Sequence, residues 1–437
     1  MSSEGILREV FSSWLARGLP NLIERAYPVD LQENVIAIIG PRRAGKTYFM
    51  FQIAKKLLEK GFSKYNIVYV DFEDVRLKVL KPENYGVFVK VLHEMFREKD
   101  GKIVLLLDEI QNLEDWESWV RSLHTTQNYY IFLSGSSSKL SSKEISTKLR
   151  GRYISRLIMP FSFREFLNLK GFNLDYIDAP EVKGRLLQNL SEYLNFGGFP
   201  DVVKRETEEE KIELLRTYKE TIFYRDVVER FKVRDVASLD TFLNIVMENF
   251  GKYLSISKVE KYFRGIGLNK SKKTLSNYLK YFETAFFLFL IEKFGYKSRE
   301  RVLQPRKVYP IDLGFYKLVP RFSRDYGVLM ESIVAIELFK QTFQRGIEVF
   351  YWKDYSGREI DFVIKKGLEI KELIQVTYAS SMNDINEREI SNIIRASAQL
   401  NCKELLVITW DYEGILDVNN LHIKIIPLWK WLLSEKY

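Results

Sequence analysis

Apolar residues in this chain fall into strand-length runs and helix-spaced sets, and the changes between them mark its predicted parts. Asn34-Val-Ile-Ala-Ile-Ile39 is a strand-length run, and beyond a polar break Phe51, Ala54, Leu57 and Leu58 recur at helical spacing. Further runs lie at Asn66-Ile-Val-Tyr-Val70, at Lys102-Ile-Val-Leu-Leu-Leu107 and at Tyr129-Tyr-Ile-Phe-Leu133. A helix is predicted over 116–123 and a last strand over 154–159. This alternation predicts a parallel sheet covered on both faces between 31 and 163, preceded by a helix at 6–15 and a connector within 1–30.

From 164 to 235 the pattern is helical: Phe163, Phe166 and Leu167 lead into it, 214–228 is amphipathic, and Gly197-Gly-Phe-Pro200 breaks the two halves. Within 236–325, Leu239, Phe242, Leu243, Val246, Met247 and Phe250 share one helix face, with Ser238 as the expected cap. A short helix from Ser257, a turn at Gly265-Ile-Gly267 and a third helix over 271–282 follow. Strands at 286–294 and 302–311 complete the pattern of a winged helix. The remainder, 326–437, reads as a second α/β unit. It has a helix over 326–339, strands at 348–352, 359–364 and 372–377, a helix over 383–400 and a strand at 404–409.

Composition adds limits. A chain of 437 residues divides into two to four domains, and a 46% hydrophobic share builds real cores. Its densest apolar run, Ala285 to Ile291, is strand-sized, well short of the ~20 residues of a membrane span. The first residues, Met1-Ser-Ser-Glu-Gly5, lack the pattern of a signal peptide, so a cytoplasmic protein with no membrane association is expected. The single cysteine, Cys402, makes no internal disulfide and is expected in a core. His93, His124 and His422 show no metal-ligand spacing. The net charge of +9 is localised: residues 236–325 hold 17 Lys+Arg against 8 Asp+Glu, which leaves the rest neutral. A basic segment among neutral ones points to a local anionic partner, most simply nucleic acid.

The chemistry begins in the break after the first strand. Gly40-Pro41-Arg42-Arg43-Ala44-Gly45-Lys46-Thr47 satisfies G-x-x-x-x-G-K-[ST] between a strand and a helix, with Tyr48 next to it. Glycines let such a loop curl its backbone N–H groups around a triphosphate, and the helix N-terminus adds partial positive charge. Lys46 is expected on the β/γ-phosphates and the Thr47 hydroxyl on Mg²⁺. Asp108-Glu109 closes an apolar strand as a Walker B pair: Asp108 for the Mg²⁺ shell, Glu109 as general base toward water. Ser136, in Ser134-Gly-Ser-Ser-Ser138, is the candidate sensor of the γ-phosphate. Arg150 and Arg152 are candidates for an arginine finger and Arg225 for a lid arginine, in a helical lid over 164–235.

In the winged-helix segment, Lys270, Lys273, Ser276, Asn277 and Lys280 cluster opposite the apolar side of the third helix, and Lys272 lies beside them. A basic face of this kind fits a major groove, and Lys297, Arg299 and Arg301 at the wing tip fit phosphates. In the last unit a helix-borne Glu331, a mid-strand Asp361 and a next-strand pair have the layout of the PD-(D/E)XK nuclease core. Gln375 stands at its second carboxylate and Thr377 at its lysine. A Gln is a weak metal ligand and Thr brings no positive charge, so a degenerate nuclease site is expected.

Six segments together resemble a prokaryotic family of AAA+-like ATPases with a C-terminal domain of unknown function. They are Gly40 to Thr47, Asp108-Glu109, Ser134 to Ser138, Pro160-Phe-Ser-Phe-Arg-Glu-Phe166, Tyr309-Pro-Ile-Asp-Leu-Gly314 and Glu359-Ile-Asp-Phe-Val363. The resemblance implies ATP and Mg²⁺ as cofactors, homo-oligomers and association with DNA. The predicted boundaries are 1–30, 31–163, 164–235, 236–325 and 326–437. The leading expectation is an ATPase that couples turnover to DNA binding or remodelling. An ATP-driven nuclease with a lysine recruited from elsewhere, such as Lys371, and a regulatory ATPase without DNA processing are the alternatives.

Overall fold

The computed structural model describes residues 2–96, 102–135, 153–295, 297, 301, 304–320 and 325–434. The chain divides into two compact units, 1–158 and 159–437.

The first unit runs α1 (Ser3–Ala16), β1 (Val35–Ile39), α2 (Lys46–Glu59), β2 (Ile67–Asp71), α3 (Tyr85–Met95), β3 (Ile103–Asp108), α4 (Trp116–Thr125), β4 (Tyr129–Ser134) and β5 (Tyr153–Leu157). Its five strands pair in the order β2-β3-β4-β1-β5, all parallel. Every residue of β1 and β3 is buried, as the unbroken apolar runs predicted for a sheet covered on both sides. The order places β4 between β1, which feeds the Gly40–Thr47 loop, and β3, which ends at Asp108. Three strand ends therefore converge along one edge, where ligands of open parallel sheets bind.

The second unit opens with α5 (Phe163–Leu169), α6 (Pro180–Phe196), α7 (Pro200–Val203) and α8 (Glu208–Thr221), which continues as a π-helix over Ile222–Glu229. The helices expected as a lid on the ATPase core thus group with the C-terminal unit. Next come α9 (Val236–Glu248), β6 (Lys252–Leu254), α10 (Ile256–Gly265), α11 (Lys272–Thr284), β7 (Leu288–Lys293) and β8 (Arg306–Pro310). The cap of α9 is Asp235 rather than Ser238. The Asp235 carboxylate accepts the Ser238 N–H at 3.0 Å and the Ser238 hydroxyl at 2.9 Å, and Ser238 itself is buried one turn in. Likewise Ser255, not Ser257, caps α10.

The chain ends with α12 (Tyr326–Arg345), β9 (Glu348–Lys353), β10 (Glu359–Lys366), β11 (Glu369–Val376), α13 (Glu387–Leu400), β12 (Leu405–Thr409), β13 (Gly414–Val418), β14 (Leu421–Pro427) and α14 (Leu428–Leu433). One nine-stranded sheet, β13-β14-β12-β11-β10-β9-β7-β8-β6, carries both halves of this unit. The join is a parallel pairing of β7 with β9, Glu292 opposite Phe350, so the sheet crosses the boundary expected at 325. Cys402 packs in the core formed by Trp352, Ile360, Ile393, Val407 and Ile423, as expected of a small apolar residue.

Two of the segments that carried the family resemblance, 160–166 and 309–314, meet inside this unit across Gly198. Asp312 is buried and accepts the N–H of Gly198 and of Gly314, each at 2.8 Å. The Phe161 N–H donates to Gly198 O at 2.8 Å, and a Cβ on Gly198 would stand 2.2 Å from Phe161 O, so only glycine fits there. These segments serve the fold of the second unit. Among the described residues no helix is long and apolar enough to cross a membrane.

Candidate functional sites

At the edge of the first sheet, Gly40 leaves β1 with φ 145°, and a Cβ there would lie 2.0 Å from Ile158 O. The loop then turns through Arg43 at φ 63° and Gly45 at φ 95° before α2 begins at Lys46. Lys46 is buried and its Nζ donates to Gly40 O at 3.1 Å and Pro41 O at 3.0 Å, which curls the ammonium over the loop. Thr47 is half-buried on the first helical turn, and Tyr48 is exposed.

Two residues not singled out in the sequence brace this loop from below. Arg25, buried in the connector after α1, donates from Nη1 to Ala44 O at 3.0 Å. Gln52 on α2 holds the Arg25 backbone from both sides, accepting its N–H at 2.8 Å and donating to its carbonyl at 2.9 Å. A single arginine in an irregular connector carries no local signal of this role.

Asp108 ends β3 buried, in register with Asp71 at the end of β2. One of its oxygens accepts the Tyr69 hydroxyl at 3.0 Å, and the other accepts the Ser134 hydroxyl and the Glu109 N–H. Glu109 adopts φ 49°, a left-handed turn that aims its N–H back at Asp108 Oδ1 and at Ser134 Oγ, while its carboxylate accepts from Gln111. Ser134, the last residue of β4, thus stands beside Asp108. Ser136, the residue singled out as sensor, lies outside the described residues, as do Arg150 and Arg152. Asp71 is pushed up to about 6 by burial, against the pull of the Glu73 N–H, with the charges of Asp108, Glu73 and Glu109 adding to the rise. Among the described residues no lysine or arginine pairs with Asp108. A carboxylate held by neutral donors keeps its charge for a cation from outside. Thr47 and Asp108, both oxygen donors, suit Mg²⁺.

In the second unit, Lys272, Lys273, Ser276, Asn277 and Lys280 are exposed on α11 while Leu275, Tyr278, Leu279 and Phe282 are buried, the division that helical periodicity predicted. Lys270 differs. Its Nζ lies 2.5 Å from Asp235 Oδ2, tying the start of α11 to the cap of α9, and this lysine holds the Asp235 carboxyl at about 2. Lys297 is exposed and Arg299 lies outside the described residues. Arg301 folds back, donating to Gly295 O at 3.1 Å with its guanidinium 5.7 Å from the Phe350 ring centre. Arg225 is exposed on the π-helical stretch.

The nuclease-like residues meet around a lysine the sequence reading passed over. Lys307 on β8 is buried, with its Nζ 2.8 Å from Glu331, 2.7 Å from Glu359 and 3.3 Å from Asp361. The Tyr309 hydroxyl donates to Glu331 at 2.5 Å, and Asp361 Oδ2 accepts the Val376 N–H at 3.0 Å. Burial alone would favour the neutral amine, but the surrounding oxygens outweigh it and hold Lys307 charged well above its ordinary range. Burial, then the charge of Glu331, raises Asp361. Gln375 is buried, and among the described residues its side-chain carbonyl has no hydrogen-bond partner. Thr377 is buried too. Lys371 is exposed and pairs with Glu369, so it is not the recruited lysine.

Residues 32–167 match the AAA domain family, which makes the first unit an AAA-type P-loop domain. Residues 187–325 and 326–431 match two domains of unknown function, DUF8612 and DUF4143. The chain belongs to the family of an uncharacterised protein of Methanocaldococcus jannaschii, 37% identical over 94% of this chain and 91% of that one. An uncharacterised protein of Haemophilus influenzae is 30% identical over 95% of this chain and 98% of its own length. The Walker-type ATPase of Pyrococcus abyssi superposes with a TM-score of 0.42 at 14% identity, over 72% of this chain and 94% of that one.

Proposed function

We propose that this protein hydrolyses ATP in its AAA domain and uses the nucleotide state to change how its second unit holds DNA. The observation that carries the reading is the constellation at one sheet edge: the Gly40–Thr47 loop, the curled Lys46, and Asp108-Glu109 one strand away. Lys46 and the loop N–H groups hold the β- and γ-phosphates, Thr47 and Asp108 hold Mg²⁺, and Glu109 takes the proton of the attacking water. Bound Mg²⁺ supplies charge neutralisation at the phosphates.

The DNA-binding part is 236–325, read as a winged helix. Its order α9-β6-α10-α11-β7-β8, with an antiparallel β6-β8-β7 sheet, supports that reading. Lys272, Lys273, Asn277 and Lys280 on the open side of α11 form the groove-facing set, with Lys297 at the wing. Residues 326–437 are read as a nuclease-like domain that binds without cutting. The burial of Asp361 and the pairing of Lys307 with its carboxylates support that reading. Activity in a homo-oligomer in the cytoplasm completes the proposal.

The experiment that tests it is the ATPase rate of the purified protein with Mg²⁺ alone and with single-stranded, duplex and branched DNA. Stimulation by one DNA form that is lost in Glu109→Gln is the expected result. A rate indifferent to every nucleic acid would leave a regulatory ATPase in its place.

A further inference from the structure

Glu331, Glu359 and Asp361 come from two different elements, α12 and β10, and all three place an oxygen within 3.3 Å of one point, the Lys307 Nζ. Three carboxylates are brought together in this way to hold a cation, because their mutual repulsion must otherwise be met by protonation or separation. One further observation concerns the source of the cation. The cation present, Lys307, arrives from β8, a strand in the segment matched to a different domain.

We propose that Lys307 is a built-in counter-ion that occupies the cation position of this cluster and closes it to divalent metal. Charge accounts for the choice. Lys307 meets all three carboxylates, Lys353 adds a second positive charge 3.2 Å from the other oxygen of Glu359, and the Tyr309 hydroxyl satisfies Glu331. Lys307 is 4% and Asp361 7% exposed, which leaves a DNA phosphate no route to either one. The same ammonium ties β8 to α12 and β10, so the ion that excludes metal also fastens the segment 236–311 to the C-terminal half of the sheet. Removing it leaves three carboxylates, hard-oxygen donors of the kind that Mn²⁺ and Mg²⁺ accept.

This inference rests on the reading of residues 326–437 as a domain that does not cut, yet its test involves neither DNA nor ATP. The nucleotide-free full-length protein is titrated with Mn²⁺, following bound metal by electron paramagnetic resonance and the unfolding midpoint with and without Mn²⁺. Asp361→Asn separates this cluster from Mn²⁺ held at the Walker residues. In the wild type no bound Mn²⁺ should depend on Asp361. Lys307→Ala should unfold at lower temperature without metal, regain stability with Mn²⁺, and bind Mn²⁺ about ten-fold or more tighter than the wild type. The added Asp361→Asn should abolish that gain. Lys307→Met combined with Glu331→Gln lowers the charge imbalance without creating a metal site, and should fold without metal and gain nothing from it. Asp361-dependent Mn²⁺ binding by the wild type would overturn the proposal. So would a Lys307→Ala protein, folded or aggregated, that Mn²⁺ fails to rescue, or a double variant that folds only with metal.

Discussion

Asp108 and Asp361 are both buried aspartates on sheet strands, each with a second carboxylate nearby, yet their surroundings differ in one decisive respect. Asp108 accepts from two hydroxyls and an amide, all neutral, so its charge is oriented but not cancelled. Asp361 accepts from an amide and from an ammonium that it shares with Glu331 and Glu359. The first arrangement leaves negative charge for an incoming cation. The second completes its own electrostatics inside the chain. Similar residue types thus make a site for a ligand or an internal brace, depending on whether the neighbouring donors carry charge.

The largest expected effects lie on the AAA side of this comparison. Lys46→Ala should abolish tight ATP binding and turnover, because Lys46 is the cation expected to reach the β/γ-phosphates. Glu109→Gln should keep binding but lose roughly 10²–10⁴ in kcat, read by single-turnover hydrolysis and a nucleotide-binding titration. Wild-type turnover in Glu109→Gln would remove Glu109 from its role as base.

On the other side, Lys307→Met alone leaves the carboxylates buried without their common partner, which costs about 3–5 kcal/mol in denaturant unfolding. Lys307→Met should leave the affinity for ATP unchanged. A loss under 1 kcal/mol would show that the cluster is wetter than its burial indicates, and would blur the contrast with Asp108.

A smaller effect tests the neutral donors. Tyr69→Phe and Ser134→Ala each remove one hydroxyl from Asp108 and should lower kcat by about ten-fold, from a lost hydrogen bond of roughly 1–1.5 kcal/mol. The Mg²⁺ concentration for half-maximal rate should rise in both, with the binding of metal-free ATP unchanged.

For DNA, Lys272, Lys273 and Lys280 changed together to alanine should reduce the slope of log K against log salt by about 2.7 if each contacts a duplex phosphate. Lys270→Ala should leave the slope unchanged and instead cost a few tenths to about 1 kcal/mol of stability through its half-buried pair with Asp235.

A last effect concerns pH. Asp71 is raised in the folded state to about 6 from an ordinary 3.8, so its contribution to stability is complete below that ordinary value and is lost as pH rises through about 6. Asp71→Asn should remove this slope, seen as a wild-type-minus-variant stability difference that falls between about pH 4 and 6 and is flat above. A flat difference throughout would place Asp71 in water.

The nucleotide loop and Asp108-Glu109 were legible in the chain because each function lies within a few consecutive residues whose strand and helix context is also local. The open face of α11 was legible for a related reason: helical periodicity alone separates Leu275 and Leu279 from Lys273 and Lys280. The caps of α9 and α10 lie within one turn of the serines expected, because Ser, Thr, Asp and Asn cap interchangeably and only the backbone shows which side chain meets the free N–H. The edge strands at 252–254 and 414–418 are short and part polar and do not stand out in the pattern, and the strand at 421–427, which pairs between β13 and β12, was not expected either.

What the tertiary structure alone decided is the pairing of residues far apart in sequence. Arg25 reaches Ala44, Ser134 reaches Asp108, and Lys307 reaches Glu331, Glu359 and Asp361 through strand order and register that no local pattern encodes. The sequence by itself determined which residues could bind a phosphate, a metal or a groove, since that is set by side-chain chemistry and local backbone. Whether a carboxylate keeps its charge for a ligand or gives it to a neighbour is set by distance and burial, and those exist only once the sheets have assembled.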